Sequence, residues 1–180
     1  GEDPPRRGNR DPHMAPHGVY RCSGEDNWVS IACADDEEWK SLCQVLAPGL
    51  AADQRFVSAA ARKRNESVLD ELINRITLEL DRWDVTRKLQ QVGVAAFPAM
   101  TAMDLAEDGH LDARGFLTKL EHPEVGVRTH PGIPWVLSDG PNGVRTPAPL
   151  LGADTREVLA NLLGYSDNEI DELERDGIFT

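Results

Sequence analysis

A chain of 180 residues has room for one ordinary domain, or for a smaller one with an appended tail. With 40% hydrophobic and 28% charged residues it has globular composition, which argues against intrinsic disorder. A formal net charge of −12 argues against a nucleic-acid surface, which needs a basic face, and equally against an anionic membrane.

The first eighteen residues are rich in Pro, Gly, Arg and His without periodicity, and read as a linker or loop. They lack the apolar stretch that follows the charges of a secretory signal. Val19–Cys22 is a short strand candidate, Gly24–Asn27 a polar turn, and Trp28–Cys33 alternates with Val29, Ile31 and Cys33 on one face. Together they predict a β-hairpin. Asp35 is placed to cap a helix, with Glu38 completing a capping box, and Trp39, Leu42, Cys43 and Leu46 form its apolar stripe up to Pro48-Gly49.

Asn65 is expected to cap a second helix carrying Val68, Leu69, Leu72, Ile73 and Ile76. Asp81 is expected to cap a third, with Val85, Leu89 and Val92 inward and Gly93 as its stop. Val94–Phe97 predicts a buried strand ended by Pro98, and Thr101–Ala106 and His110–Arg114 predict short helical turns. Phe116–Leu120 reads as a strand, His122–Gly126 as a turn and Pro134–Leu137 as the returning strand. Residues 138–150 form a proline-punctuated linker. Beyond it lie helices from about Thr155 to Leu163 and from the capping box Ser166–Glu169 to Gly177.

This order predicts the α+β class: a small mixed α/β domain over residues 19–137 with a short antiparallel sheet and several helices. A linker and a two-helix C-terminal tail over residues 151–180 complete it. The tail's apolar residues, Val158, Leu159, Leu162, Leu163, Ile170 and Leu173, are too few for an independent core, so it needs another surface.

Cys22, Cys33 and Cys43 are odd in number, about ten residues apart and without a C-x-x-C pair. That pattern predicts reduced thiols. No apolar run approaches the roughly 20 residues that span a bilayer, so a cytoplasmic protein is expected.

His13 and His17 have metal-ligand spacing for a helix, but Pro12 and Pro16 oppose that helix and no third ligand follows, so no metal site is expected. The acidic run Asp35–Glu38 is explained by a helix N-terminus. Arg62, Lys63 and Arg64 could meet a phosphate, but a solvated surface is the expectation. His122-Pro123 and Gly126 suit a tight turn. No G-x-S-x-G, P-loop or G-x-G-x-x-G pattern occurs.

Two stretches carry a resemblance, GNRDPHMAPHGVYRC at Gly8–Cys22 and APLLGADTREVL at Ala148–Leu159. They resemble signature segments of the class III CoA-transferases, the family of formyl-CoA transferase, carnitine CoA-transferase and α-methylacyl-CoA racemase. Order and separation fit as well, so the resemblance runs over nearly the whole sequence, and it is to the C-terminal part of those enzymes only. It implies transfer of CoA between carboxylic acids through an aspartyl anhydride and an aspartyl-CoA thioester. The CoA thioester is then a substrate and no separate cofactor is implied.

The implied partners are an acyl-CoA, a carboxylic acid, an N-terminal large domain and a second copy in an interlocked homodimer. The nucleophilic aspartate would lie in that large domain, which leaves no catalytic residue of that kind in this chain and predicts it inactive alone. Asp11–Gly18 corresponds to a glycine-rich loop that covers the acyl-aspartyl intermediate. It holds one glycine here, which does not support a polyglycine lid. His17 and Gly18 are implied at the substrate-pocket edge, with a purely structural role as the alternative. In the racemase branch an acidic residue near Asp35 approaches the active site from the second subunit, so Asp35 has a catalytic alternative to capping. Two further alternatives stay open: racemase chemistry, and a non-catalytic module that binds an N-terminal partner.

Overall fold

The computed structural model describes residues 3, 6–140 and 142–179. Gly1, Glu2, Pro4 and Pro5 of the expected first loop, Pro141 of the expected linker and Thr180 of the tail lie outside the described residues. The chain divides into two compact units, Gly1–Thr101 and Ala102–Thr180. This division falls inside the segment 19–137 that the sequence suggests as one domain.

In the first unit, strands β1 (His17–Arg21), β2 (Trp28–Ala32) and β3 (Ala95–Pro98) form an antiparallel sheet in the order β1-β2-β3. Val19 pairs with Ser30, and Ser30 with Phe97. Because side chains alternate along a strand, this register puts Tyr20, Val29, Ile31 and Ala96 on the buried face and Val19, Ser30 and Phe97 on the other.

Helix α1 (Asp36–Leu46) begins where the Asp35 carboxylate accepts from the Glu37 and Glu38 amides. Glu38 reaches back to the Ala34 amide at 2.7 Å, one residue before the usual capping-box partner. A 3₁₀ turn at Pro48–Leu50 follows. Helix α2 (Ala59–Arg64), capped by Ser58, is too short for the sequence pattern to show. Helix α3 (Glu66–Thr77) starts directly after it.

Asn65 occupies the expected N-cap position, but its side chain donates instead to Arg55 O and Ala61 O. Its side chain therefore closes α2, while its carbonyl accepts from the Leu69 amide at the start of α3. Helix α4 (Arg82–Gln91) is capped by Asp81 as expected, and Gly93 ends it with a φ of +80° that a side chain would resist.

Trp39, Leu42 and Cys43 of α1, Leu69 and Ile73 of α3, and Val85 and Leu89 of α4 bury against the inner sheet face together with Phe56. Each such side chain contributes roughly 1.5–3 kcal/mol through removal of apolar surface from water. The antiparallel sheet with helices over one face confirms the α+β class.

The second unit holds two short helices, α5 (Ala102–Ala106) and α6 (Gly109–Ala113), and a hairpin of β4 (Leu117–His122) and β5 (Gly126–Pro131). The returning strand is thus Gly126–Pro131, not Pro134–Leu137. β5 is nearly all exposed and so lacks the alternation that marks a half-buried strand, which explains the misreading. Trp135 and Val136 stand outside any strand, 63% and 68% exposed.

The tail begins with α7 (Thr155–Glu157), continued by a π-helical turn at Val158–Leu162. Helix α8 (Asp167–Arg175) opens with the expected Ser166–Glu169 capping box. Arg156 of α7 pairs with Asp171 and Glu174 of α8. Ile170 is the fully buried apolar side chain of this unit among the described residues.

Candidate functional site

The segment preceding β1 is a strap across the first unit. Arg10 donates to Ser67 Oγ at 3.0 Å and lies 3.8 and 3.6 Å from the carboxylates of Glu66 and Asp70. Asp11 accepts from the amides of His13 (2.7 Å) and Met14 (2.9 Å), which holds its carboxyl below the usual carboxylate range and fixes a tight turn. Lys63 donates to Asp11 O at 2.7 Å, and the Cys33 amide donates to Pro16 O at 2.9 Å. Ala15 is wholly buried. Residues 8–16 are therefore a clamped strap, not an open linker.

Where the strap joins β1 it borders a cleft of about 630 Å³ over the outer sheet face. Asn9, Arg10, His17 and Gly18 form one side, and Ser30, Gln90 and Phe97 lie among the residues of the other. His17 Nδ1 is 2.6 Å from Asn9 O. A carbonyl oxygen can only accept, so in the neutral imidazole Nδ1 carries the proton and Nε2 keeps its lone pair.

Gly18 has a steric reason to be glycine. A Cβ there would stand 2.9 Å from Tyr20 Oη, two residues along the same strand face. The Tyr20 hydroxyl is buried and donates to Asp70 Oδ1 at 2.8 Å. Burial, reinforced by the Asp70 charge, pushes the phenol pKa well up. Burial also raises the Asp70 carboxyl, against the lowering effect of the Tyr20 hydrogen bond.

The structure brings His17 and Gly18 together at this cleft with Arg10 and Asn9, whereas neither His13 nor Asp35 lines it. Both capping amides bond to Asp35 Oδ1, and the Asp35 carbonyl accepts from Arg62. Among the described residues no group of three or more His, Cys, Asp or Glu is placed to hold a metal ion. Nor is any helix long and apolar enough to cross a membrane. Cys22, Cys33 and Cys43 are free and buried, and burial pushes the thiols of Cys33 and Cys43 to about 12 and about 11.

One basic residue departs from the sequence expectation altogether. Arg62 is not on a solvated surface but has no exposed area, while Lys63 beside it keeps partial access to solvent. Successive helical residues point about 100° apart, so a basic triplet cannot lie on one face. Nothing in the triplet itself tells which of the three lies inside. Asp70 and Gln90, each distant in sequence from the strap, carry no local signal.

The first unit is thus an α+β fold with a clamped strap bordering a cleft. The sequence profile of CoA-transferase family III matches residues 1–155, and the chain belongs to that family. It is 29% identical over 98% of its length to a formyl-CoA:oxalate CoA-transferase of Rhodopseudomonas palustris, covering 42% of that protein. A succinyl-CoA–D-citramalate CoA-transferase of Chloroflexus aurantiacus is 30% identical over 92% of this chain and 41% of its own length. Among solved structures, a CAIB/BAIF family protein from Brucella suis superposes with a TM-score of 0.72 at 31% identity, covering 89% of this chain and 41% of that one. The chain thus spans less than half the length of these relatives.

Proposed function

We propose that this chain forms the pocket edge of a class III CoA-transferase that moves CoA between carboxylic acids. The carrying observation is the clamped strap ending at His17 and Gly18 beside a cleft, in a chain matched over residues 1–155 by CoA-transferase family III. An aspartate supplied from outside these 180 residues, by an N-terminal large domain, attacks the acyl-CoA carbonyl and expels the CoA thiolate, forming a mixed anhydride. The thiolate then attacks the aspartyl carbonyl, which releases the donor acid and leaves an aspartyl-CoA thioester. The acceptor carboxylate reverses these two steps, so that CoA ends on the acceptor and the aspartate is regenerated.

Such an anhydride survives only where water is kept away. The strap supplies a wall whose position is fixed by bonds to α2 and α3, and His17 Nε2 offers an acceptor at its end. The working assembly is a cytoplasmic homodimer, with acyl-CoA and a free acid as its substrates and no further cofactor. The curated relatives named above are CoA-transferases, which favours transfer over racemisation.

The test is mass spectrometry of the chain joined to, or mixed with, its N-terminal part in the presence of an acyl-CoA and a free acid. An acyl- or CoA-aspartyl adduct is expected, and failure to trap either would overturn the transferase reading. The 180-residue chain alone is expected to show no turnover. Measured CoA transfer without the added part would show that the nucleophile lies within it.

A further inference from the structure

We propose that Arg62 is a positioning residue: one buried guanidinium fixes the strap and the first turn of α1 together, and so sets where His17 and Gly18 stand at the cleft. This rests on the reading of the strap as a pocket edge.

Its Nε donates to Ala15 O at 2.6 Å, two residues before His17. Nη2 donates to Asp35 O at 3.2 Å, and Nη1 to Phe56 O at 3.3 Å. Nη1 also lies 2.9 Å from Asp36 Oδ1, at ion-pair distance but without the alignment of a hydrogen bond. The guanidinium stacks over Trp39, with its carbon 5.3 Å from the ring centroid. The strap, the start of α1 and the turn before α2 thus meet on one side chain that has no exposed area.

Stability alone does not explain an arginine here. Burying a guanidinium costs solvation, and an apolar residue of similar volume fills such a place at least as well. What an apolar residue lacks is direction. The rigid planar fork dictates the relative positions of the carbonyls it binds, and a lysine, with one rotatable ammonium, does not. The strap has its own second tie, Lys63 to Asp11 O, which touches neither Asp35 nor Phe56. Only Arg62 joins the strap to α1 in this way among the described residues.

Hydrogen exchange read by mass spectrometry on the 180-residue chain tests the coupling, since local openings report on local ties. Arg62→Lys is expected to raise exchange about tenfold in residues 13–18 and 34–38 together, while residues 28–32 and 69–73 keep wild-type protection. Lys63→Met is expected to raise it at 11–14 and leave 34–38 unchanged. A rise in only one of the two segments in Arg62→Lys, or a rise spread through 28–32 and 69–73, overturns the proposal. Should Arg62→Lys not fold, Asp36→Asn removes the exposed ion-pair partner and is expected to raise both segments about twofold; a rise confined to 34–38 overturns it.

With the N-terminal part present, Arg62→Lys is expected to lower kcat tenfold or more with KM for acyl-CoA within twofold, and an unchanged kcat overturns the positioning role. If the wild-type assembly transfers no CoA, the function reading fails by itself, and the exchange experiment still decides whether Arg62 couples the strap to α1.

Discussion

Residues 8–16 and 133–149 are both punctuated by proline and glycine, yet they are held in different ways. The first is tied by Arg10, Arg62 and Lys63 to α2 and α3, and it buries Ala15 completely. The second is shaped by a neighbour, Asn142, whose side chain accepts from the Leu137 amide and donates to its carbonyl. It leaves Trp135 and Val136 in solvent. Proline content limits the backbone of both alike. Whether such a segment is held as a strap depends on donors brought to it by elements far along the chain.

The sharpest way to break this contrast is to remove one core ring from the first unit and one exposed ring from residues 133–149. Phe56→Ala should cost about 3–5 kcal/mol in denaturant unfolding, because the ring has no exposed area and packs edge-on to Trp39. Trp135→Ala should change stability by less than about 0.5 kcal/mol. Comparable losses would show that Trp135 is packed in the chain itself and would end the contrast.

A smaller effect is expected at the end of the strap. Gly18→Ala should destabilise by about 1–3 kcal/mol, since its Cβ must displace the Tyr20 ring from Asp70. Near-native unfolding with altered substrate preference would instead make Gly18 a pocket residue before a packing residue. Asp35→Ala should cost about 1 kcal/mol through loss of the α1 cap, while Asp35→Asn keeps the cap and most of the stability. Transfer activity lost in Asp35→Asn at full stability would favour the catalytic alternative over capping.

The smallest predicted effect is a pH slope. The Asp70 carboxyl is raised above its ordinary value of 3.8, chiefly by burial, so the folded state holds that proton over a pH range in which the unfolded chain releases it. The folded state then binds more protons than the unfolded state, and stability falls as pH rises from about the ordinary value through the raised one. Asp70→Asn, which keeps an acceptor for Tyr20, should therefore gain stability relative to wild type as pH rises through that window. A difference independent of pH would show that Arg10, 3.6 Å away, offsets the burial.

Much of the framework was legible locally. Asp35 and Asp81 cap the helices that their position announces, Gly93 stops α4, and Ser166 with Glu169 opens α8. These signals act within four residues, so they survive without tertiary context. Two differences from that pattern have separate causes. β5 lacks a strand pattern because it buries neither face, and Asn65 stands at the expected N-cap of α3 but turns its side chain to α2 because the two helices share that residue.

At the site, the family signature points to His17 and Gly18 but not to their surroundings. Nothing near residue 18 in the sequence announces Asp70, and nothing near residue 15 announces Arg62.

The sequence by itself determined the class, the helix ends, the alternation of β1 and β2 and the family resemblance, because each resides in short-range pattern or in composition. Only the tertiary structure decided that residues 8–16 are a clamped strap, that one arginine of a basic triplet lies wholly inside, and that Gly18 makes room for a tyrosine. Those outcomes depend on which donors and rings meet across about fifty residues of intervening chain, and hydrophobic packing of α2, α3 and the sheet settles that meeting.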